Sequence, residues 1–183
     1  MSNFFRKAYN VNLPKSKRES EEFGGGKKGL VLCKKCTSAY YKKSWHHDIA
    51  GLKNYEKDWP VHFTVCPACQ MIHNKQYEGR IKIKNIPVVS EDRLDDLIRG
   101  FCHRAFERDP LDRLINLEKS LPAHAYRQAG GRQDGSDWTV TTTENRLANK
   151  LAKKIKDAFS KVKSKTKFAG DPSDVVEITI EFS

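Results

Sequence analysis

The chain has 183 residues, with 34 lysines and arginines against 23 aspartates and glutamates, for a net charge of +11. Its pI near 9.4 and mean hydropathy of −0.71 point to a modest core with some tail or loop, and to a polyanionic partner, nucleic acid before membrane. No apolar run approaches the ~18 residues of a membrane span, and Met1–Arg6 shows no apolar stretch after a basic one, so no signal peptide is expected.

In chain order, residues 1–28 read as a flexible basic arm: Pro14, Lys15, Lys17, Arg18 and the Gly24–Gly25–Gly26 run show no apolar periodicity. Phe4, Phe5, Tyr9 and Phe23 could anchor this arm on a partner. Residues 29–75 form a cysteine-bounded module, and residues 76–183 an α+β domain. Tyr77–Lys84 alternates, with Ile81 and Ile83 on one face and Arg80, Lys82 and Lys84 on the other, which predicts a strand with a wet basic face. Ser90 is placed to cap a helix whose apolar positions are Leu94, Leu97, Ile98, Phe101, Cys102, Ala105 and Phe106, and Asp109–Pro110 ends it.

Leu114–Arg127 is expected to be extended with a break near Pro122, Gly130–Gly135 to be a loop, and Trp138–Thr143 to be a strand. Thr142 or Thr143 is expected to cap a second helix with Leu147, Ala148, Leu151, Ala152, Ile155, Ala158, Phe159 and Val162 on its apolar side. A strand near Lys163–Phe168, a turn at Gly170–Asp171–Pro172 and a strand through Val176, Ile178, Ile180 and Phe182 complete the chain. The order β-α-β-β-α-β-β predicts an α+β fold: a four-cysteine zinc ribbon followed by a ferredoxin-like α/β sandwich.

Charge is concentrated: residues 144–167 hold nine lysines and arginines against two acids, while residues 85–143 hold eight against ten. Two basic zones around a near-neutral centre suggest an oriented binding surface.

An odd count of five cysteines argues for thiols used as ligands rather than a disulfide scaffold. Cys33-Lys-Lys-Cys36 and Cys66-Pro-Ala-Cys69 supply four thiolates, enough for one closed tetrahedral Zn²⁺ shell. A redox dithiol is the competing reading, disfavoured because there are two pairs and because neither is expected to open a helix behind a strand. Ribbon knuckles favour glycine after the second cysteine, where a positive φ is wanted; Thr37 and Gln70 stand there instead. His73 is an alternative fourth ligand, and Cys102 reads as a buried structural thiol.

The 29-residue spacer between Cys36 and Cys66 interleaves Tyr40, Tyr41, Lys42, Lys43, Trp45, Lys53, Tyr55, Lys57 and Trp59. Ammoniums for phosphates and rings for unstacked bases are what looped RNA needs, although Trp45 and Trp59 could equally build a core behind the metal. The candidate RNA contacts are Lys34, Lys35, Lys42, Lys43, Trp45, Arg80, Lys82 and Lys84, with Lys150, Lys153, Lys154 and Lys161 on a second face. No nucleophile elbow, P-loop or dinucleotide fingerprint is present, and His46–His47–Asp48 lacks a partner carboxylate, so no enzyme and no small-molecule substrate are expected.

The cysteine pairs, the Arg80-Ile-Lys-Ile-Lys84 strand, Gly135-Ser-Asp-Trp138, Asn145-Arg-Leu-Ala148 and Lys163-Ser-Lys-Thr-Lys167 together resemble a shortened form of the large-ribosomal-subunit export adaptor family. They also resemble small bacterial zinc-ribbon proteins of unassigned role. The resemblance spans roughly residues 30–183; this chain has two cysteine pairs where the adaptors have more, and lacks their downstream domain and export tails. It implies ribosome or rRNA association in the cytoplasm, in assembly, dormancy or quality control, and not nuclear export. The alternative from another class is a zinc-ribbon interaction module for an acidic protein or DNA.

Overall fold

A computed structural model describes residues 29–50, 52, 59–120, 135–168 and 175–183. The expected basic arm at 1–28, spacer residues Lys53, Tyr55 and Lys57, the break near Pro122, most of the 130–135 loop and the Gly170–Asp171–Pro172 turn lie outside the described residues. The chain is a mixed α+β protein with two mixed sheets and a four-cysteine cluster.

The first sheet holds β1 (Leu30–Cys33), β2 (Ala39–Tyr41), β3 (Ser44–His46) and β4 (Val61–Thr64) in the order β3-β2-β1-β4. Strand β1 is antiparallel to β2 and parallel to β4. Helix α1 (Pro67–His73) follows β4 directly. The β2–β3 hairpin pairs Tyr41 with Ser44, leaving Lys42 and Lys43 as a two-residue turn. Both lysines have positive φ, 47° and 65°, as a type I′ turn demands, in a conformation that costs non-glycine residues ~1–2 kcal/mol each.

The second sheet holds β5 (Gly79–Ile86), β6 (Leu114–Ser120), β7 (Ser136–Thr142), β8 (Val162–Phe168) and β9 (Val176–Phe182) in the order β6-β7-β5-β9-β8. Helices α2 (Glu91–Arg108) and α3 (Asn145–Ala158) cover one face. Strand β9 inserts between β5 and β8, running parallel to β5 and antiparallel to β8. Alternation decides which residues face the helices: Ile81 and Ile83 on β5, Trp138 and Val140 on β7, and Val176, Ile178 and Ile180 on β9 are buried against Leu94, Ile98, Leu151 and Ile155. The opposite face is open and polar. There Arg80, Lys82 and Lys84 lie beside Glu177, Thr179 and Glu181, which pair in turn with Lys167, Lys165 and Lys163 of the edge strand.

Two expected caps do different work. Ser90 precedes α2 in a helical conformation, at the end of a 3₁₀ turn (Val88–Ser90), and its hydroxyl makes no cap bond. Glu144 is the residue flanking α3. Thr142 donates instead to the Glu144 carbonyl, while Thr143 donates to the Leu111 carbonyl and accepts from the Arg113 N–H. Both threonines are buried: the Thr143 hydroxyl satisfies the chain entering β6, and the Thr142 hydroxyl satisfies the carbonyl of the residue that leads into α3.

Gly79 is buried where α3 crosses β5, and a Cβ there would overlap Thr142 Oγ1 and Ala148 Cβ. Neither neighbour can yield, because both are fully buried. Gly79→Ala is therefore expected to destabilise the protein by about 3 kcal/mol in a denaturant titration.

Candidate metal centre

Cys33 ends β1, Cys36 follows three residues later, and Cys66 and Cys69 begin α1. The first pair lies in a tight turn closed by the Cys33 N–H donating to the Ser38 carbonyl at 2.9 Å, with the Lys34 N–H donating to Thr64 at 2.7 Å. The second pair does open a helix behind a strand, contrary to the sequence expectation, because Pro67 occupies the first helical turn and favours helix initiation at that point. One helical turn then carries Cys69 to the side of Cys66. Neither Thr37 nor Gln70 has positive φ. Gln70 is helical, its N–H bonding the Cys66 carbonyl at 3.0 Å, so glycine is not required at either place.

The four sulfurs lie within 4.8 Å of one another, and Cys36 Sγ is 3.8 Å from Cys66 Sγ. A tetrahedral site with Zn–S near 2.3 Å has S···S edges of about 3.8 Å. All four cysteines are free, and their separation is that of ligands around one ion, not of bonded disulfides. The donor set therefore fits a single tetrahedrally coordinated soft or borderline metal ion. Drawn into one cluster, the two pairs are placed to serve as one ligand set.

Each sulfur sits in a distinct field. The Lys35 and Cys66 N–H groups donate to Cys33 Sγ at 3.4 and 3.3 Å. Burial opposes its ionisation, yet these donors hold its pKa below the ordinary thiol value. Burial also opposes ionisation of Cys36, but the Ser38 hydroxyl at 3.3 Å, the Ser38 backbone and Arg113 bring it down to about 6. Burial pushes Cys66 and Cys69 upward, reinforced by the neighbouring sulfurs.

Behind the cluster, buried Trp45 packs with Cys33, Cys66 and Ala68, and its ring lies 5.4 Å from Tyr40. Trp45 was a candidate for base stacking; burial commits its ring to the core instead. Trp59 packs on Tyr41 in the neighbouring cluster at 5.7 Å. His73 is exposed and engages Asn74, and among the described residues the metal-competent group contains the four cysteines alone. Cys102 is buried in the other core, and burial pushes its thiol up to about 12. His46 contacts the Tyr41 carbonyl, while His47 stacks edge-on against Phe106 at 4.8 Å.

Sequence reasoning missed Arg113. It precedes β6, yet its Nη2 donates to Cys36 Sγ at 3.4 Å and its Nη1 to Cys69 Sγ at 3.7 Å. Leu111 packs against the same cluster. The only local signal was the Asp109–Pro110 helix stop, which marks a turn but not its destination.

The candidate cations divide between surfaces. Lys34 and Lys35 are exposed on the first cysteine turn, and Lys42 and Lys43 form the hairpin tip. Arg80, Lys82 and Lys84 lie on the open sheet face; Arg80 pairs with Glu177 at 3.0 Å and covers the Tyr77 ring at 4.4 Å, and Lys82 reaches Glu177 at 3.9 Å. Lys150, Lys153 and Lys154 are exposed on α3, in the helix layer on the other side of the sheet; Lys161, expected on the same helix, lies past its end at Ala158, in the positive-φ turn before β8 where its carbonyl accepts from Ser183. The sheet cations are partly neutralised in place, whereas Lys153, Lys154 and Lys161 form no ion pair among the described residues. Among the described residues, no helix is long and apolar enough to cross a membrane. Compared with known proteins, the chain matches no family model, no curated protein and no solved structure.

Proposed function

We infer that the chain is a zinc-holding RNA-binding protein of the cytoplasm, a binding module rather than an enzyme, whose partner is rRNA on the ribosome or an assembling subunit. The observation that carries this reading is the pairing of a closed four-thiolate site with the unneutralised lysines on the outer side of α3. A four-sulfur shell leaves no open coordination position for substrate, so its role is to hold a fold. The α3 lysines crowd the side opposite Leu147, Leu151 and Ile155, and the net charge of +11 favours a polyanion over an acidic peptide.

The finer fold reading belongs here too. Strand β7 lies between β5 and β6, as in a split β-α-β unit, and β8 runs in the same direction as β7. These features support a ferredoxin-like sandwich enlarged by β9, joined to a zinc ribbon.

Changing Lys150, Lys153 and Lys154 together to Gln tests the reading. No core position is touched, so stability should move by no more than roughly 0.5 kcal/mol per site. Co-sedimentation with ribosomes, or affinity for rRNA, should fall at least tenfold. A triple variant that sediments with ribosomes as well as the parent removes α3 from the binding surface.

A further inference from the structure

We propose that Arg113 is the counter-charge of the metal centre, a positioning residue that tunes the two sulfurs it touches and ties metal occupancy to the join between the two sheets. This rests on the reading that the four cysteines hold a divalent ion. Four thiolates and a dication leave two net negative charges in a partly buried site, where uncompensated charge is costly. Arg113 brings one positive charge to it as a fork: Nη2 lies 3.4 Å from Cys36 Sγ and Nη1 3.7 Å from Cys69 Sγ. The fork therefore spans the two cysteine pairs, taking one sulfur from each. Cys33 receives its two donors from backbone N–H groups instead.

The guanidinium is held by contacts that do not involve the metal. Its Nε donates to the Pro110 carbonyl at 2.8 Å, which aims both Nη atoms at the sulfurs. Its carbon lies 5.0 Å from the centroid of Phe106, which excludes water from one face and adds a cation–π contact. Phe106 also stacks edge-on against His47 of the cysteine module. The Arg113 backbone is tied to Thr143 in both directions, N–H to Oγ1 at 2.8 Å and carbonyl from the Thr143 N–H at 3.0 Å. The turn that delivers it is pinned in turn by the Leu111 N–H donating to Asp109 Oδ1 and by Arg146 pairing with Asp109 and Asp112. Arg113 thus belongs to the second sheet by its backbone and to the metal centre by its side chain. Outer residues that hydrogen-bond metal ligands in this way are worth 10- to 100-fold in metal affinity (order of magnitude).

Cobalt(II) titration of the full chain gives the test, because a tetrathiolate Co²⁺ site reports its sulfurs through a sulfur-to-metal charge-transfer band. Removing a cation from the thiolates raises their electron energy, so the band should move to longer wavelength in Arg113→Met, with apparent Co²⁺ affinity at least tenfold weaker. Arg113→Lys keeps the charge but loses the fork, so the same changes should be smaller. A merely structural role would weaken binding without moving the band. Unshifted bands with parental affinity in both variants overturn the proposal while leaving the metal reading intact. Should Arg113→Met fail to fold, an unshifted band in Arg113→Lys overturns it alone. A parent chain that takes up no Co²⁺ sinks the metal reading and this inference together, a result distinct from either variant outcome.

Discussion

Chelating the metal from the purified protein is expected to unfold residues 29–75 while the second sheet and its helices persist. The two parts differ in what holds them. The second sheet has an extensive apolar core running from Ile81 to Phe182. Among the described residues the cysteine module has two small clusters, one formed by Leu30, Ala39 and Tyr41, the other by Trp45 and Ala68 together with the cysteines Cys33 and Cys66. Without an ion, that second cluster has little apolar mass beside its converging sulfurs, and metal–thiolate bonds at an apparent ~10–16 kcal/mol are expected to offset the cost of ordering the segment. The purified protein should carry one zinc per chain by elemental analysis. Amide exchange after chelation should rise sharply in β1–β4 and only slightly in β5, β7 and β9. Cys33→Ser or Cys66→Ser should reproduce the loss. Cys102→Ala should leave the zinc in place, because Cys102 lies in the other core. A stable metal-free preparation with a Cys33–Cys36 disulfide would contradict this account.

The second large effect concerns salt. If binding neutralises ~6 phosphates, log affinity should fall against log salt with a slope near −4 for single strands or −5 for duplex, because each neutralised phosphate releases condensed counterion. Raising salt fourfold should then weaken binding by roughly 250- to 1,000-fold. The cations placed to do this are those on α3 and at Lys161, with the Lys42–Lys43 tip as a separate point of contact. Arg80 and Lys82 should contribute less to the slope, since Glu177 already sits beside them. Fluorescence anisotropy with a labelled rRNA fragment across a salt series measures the slope. A nearly salt-independent complex would point to an apolar protein interface instead, and the exposed Phe63 on edge strand β4 would become the first place to test.

How much of this was legible in the sequence follows from the range of each signal. The two Cys-x-x-Cys pairs pointed to the four-sulfur cluster, because two residues of separation bring thiolates to one side of a turn. Alternation in Arg80–Lys84 and Val176–Phe182 revealed strands and their buried faces, and the spacing of Leu147, Leu151 and Ile155 revealed a helix, because those periods are properties of the backbone itself. The concentration of lysine on α3 was likewise visible, since charge on a helix face needs no partner to be counted.

What the tertiary structure decided depends on residues far apart. Strand β9 could have lain at the edge, but its buried Val176, Ile178, Ile180 and Phe182 need cover that only an inner position between β5 and β8 supplies, leaving the lysine-rich β8 at the edge. Trp45 went to the core because the metal module has little other apolar mass to pack behind its sulfurs. Arg113 reaches across 77 residues of chain to Cys36 and 44 to Cys69. No local pattern encodes that approach; it arises because Thr143 and the Asp109 turn set the chain direction at the start of β6 and so deliver the guanidinium to the sulfur cluster.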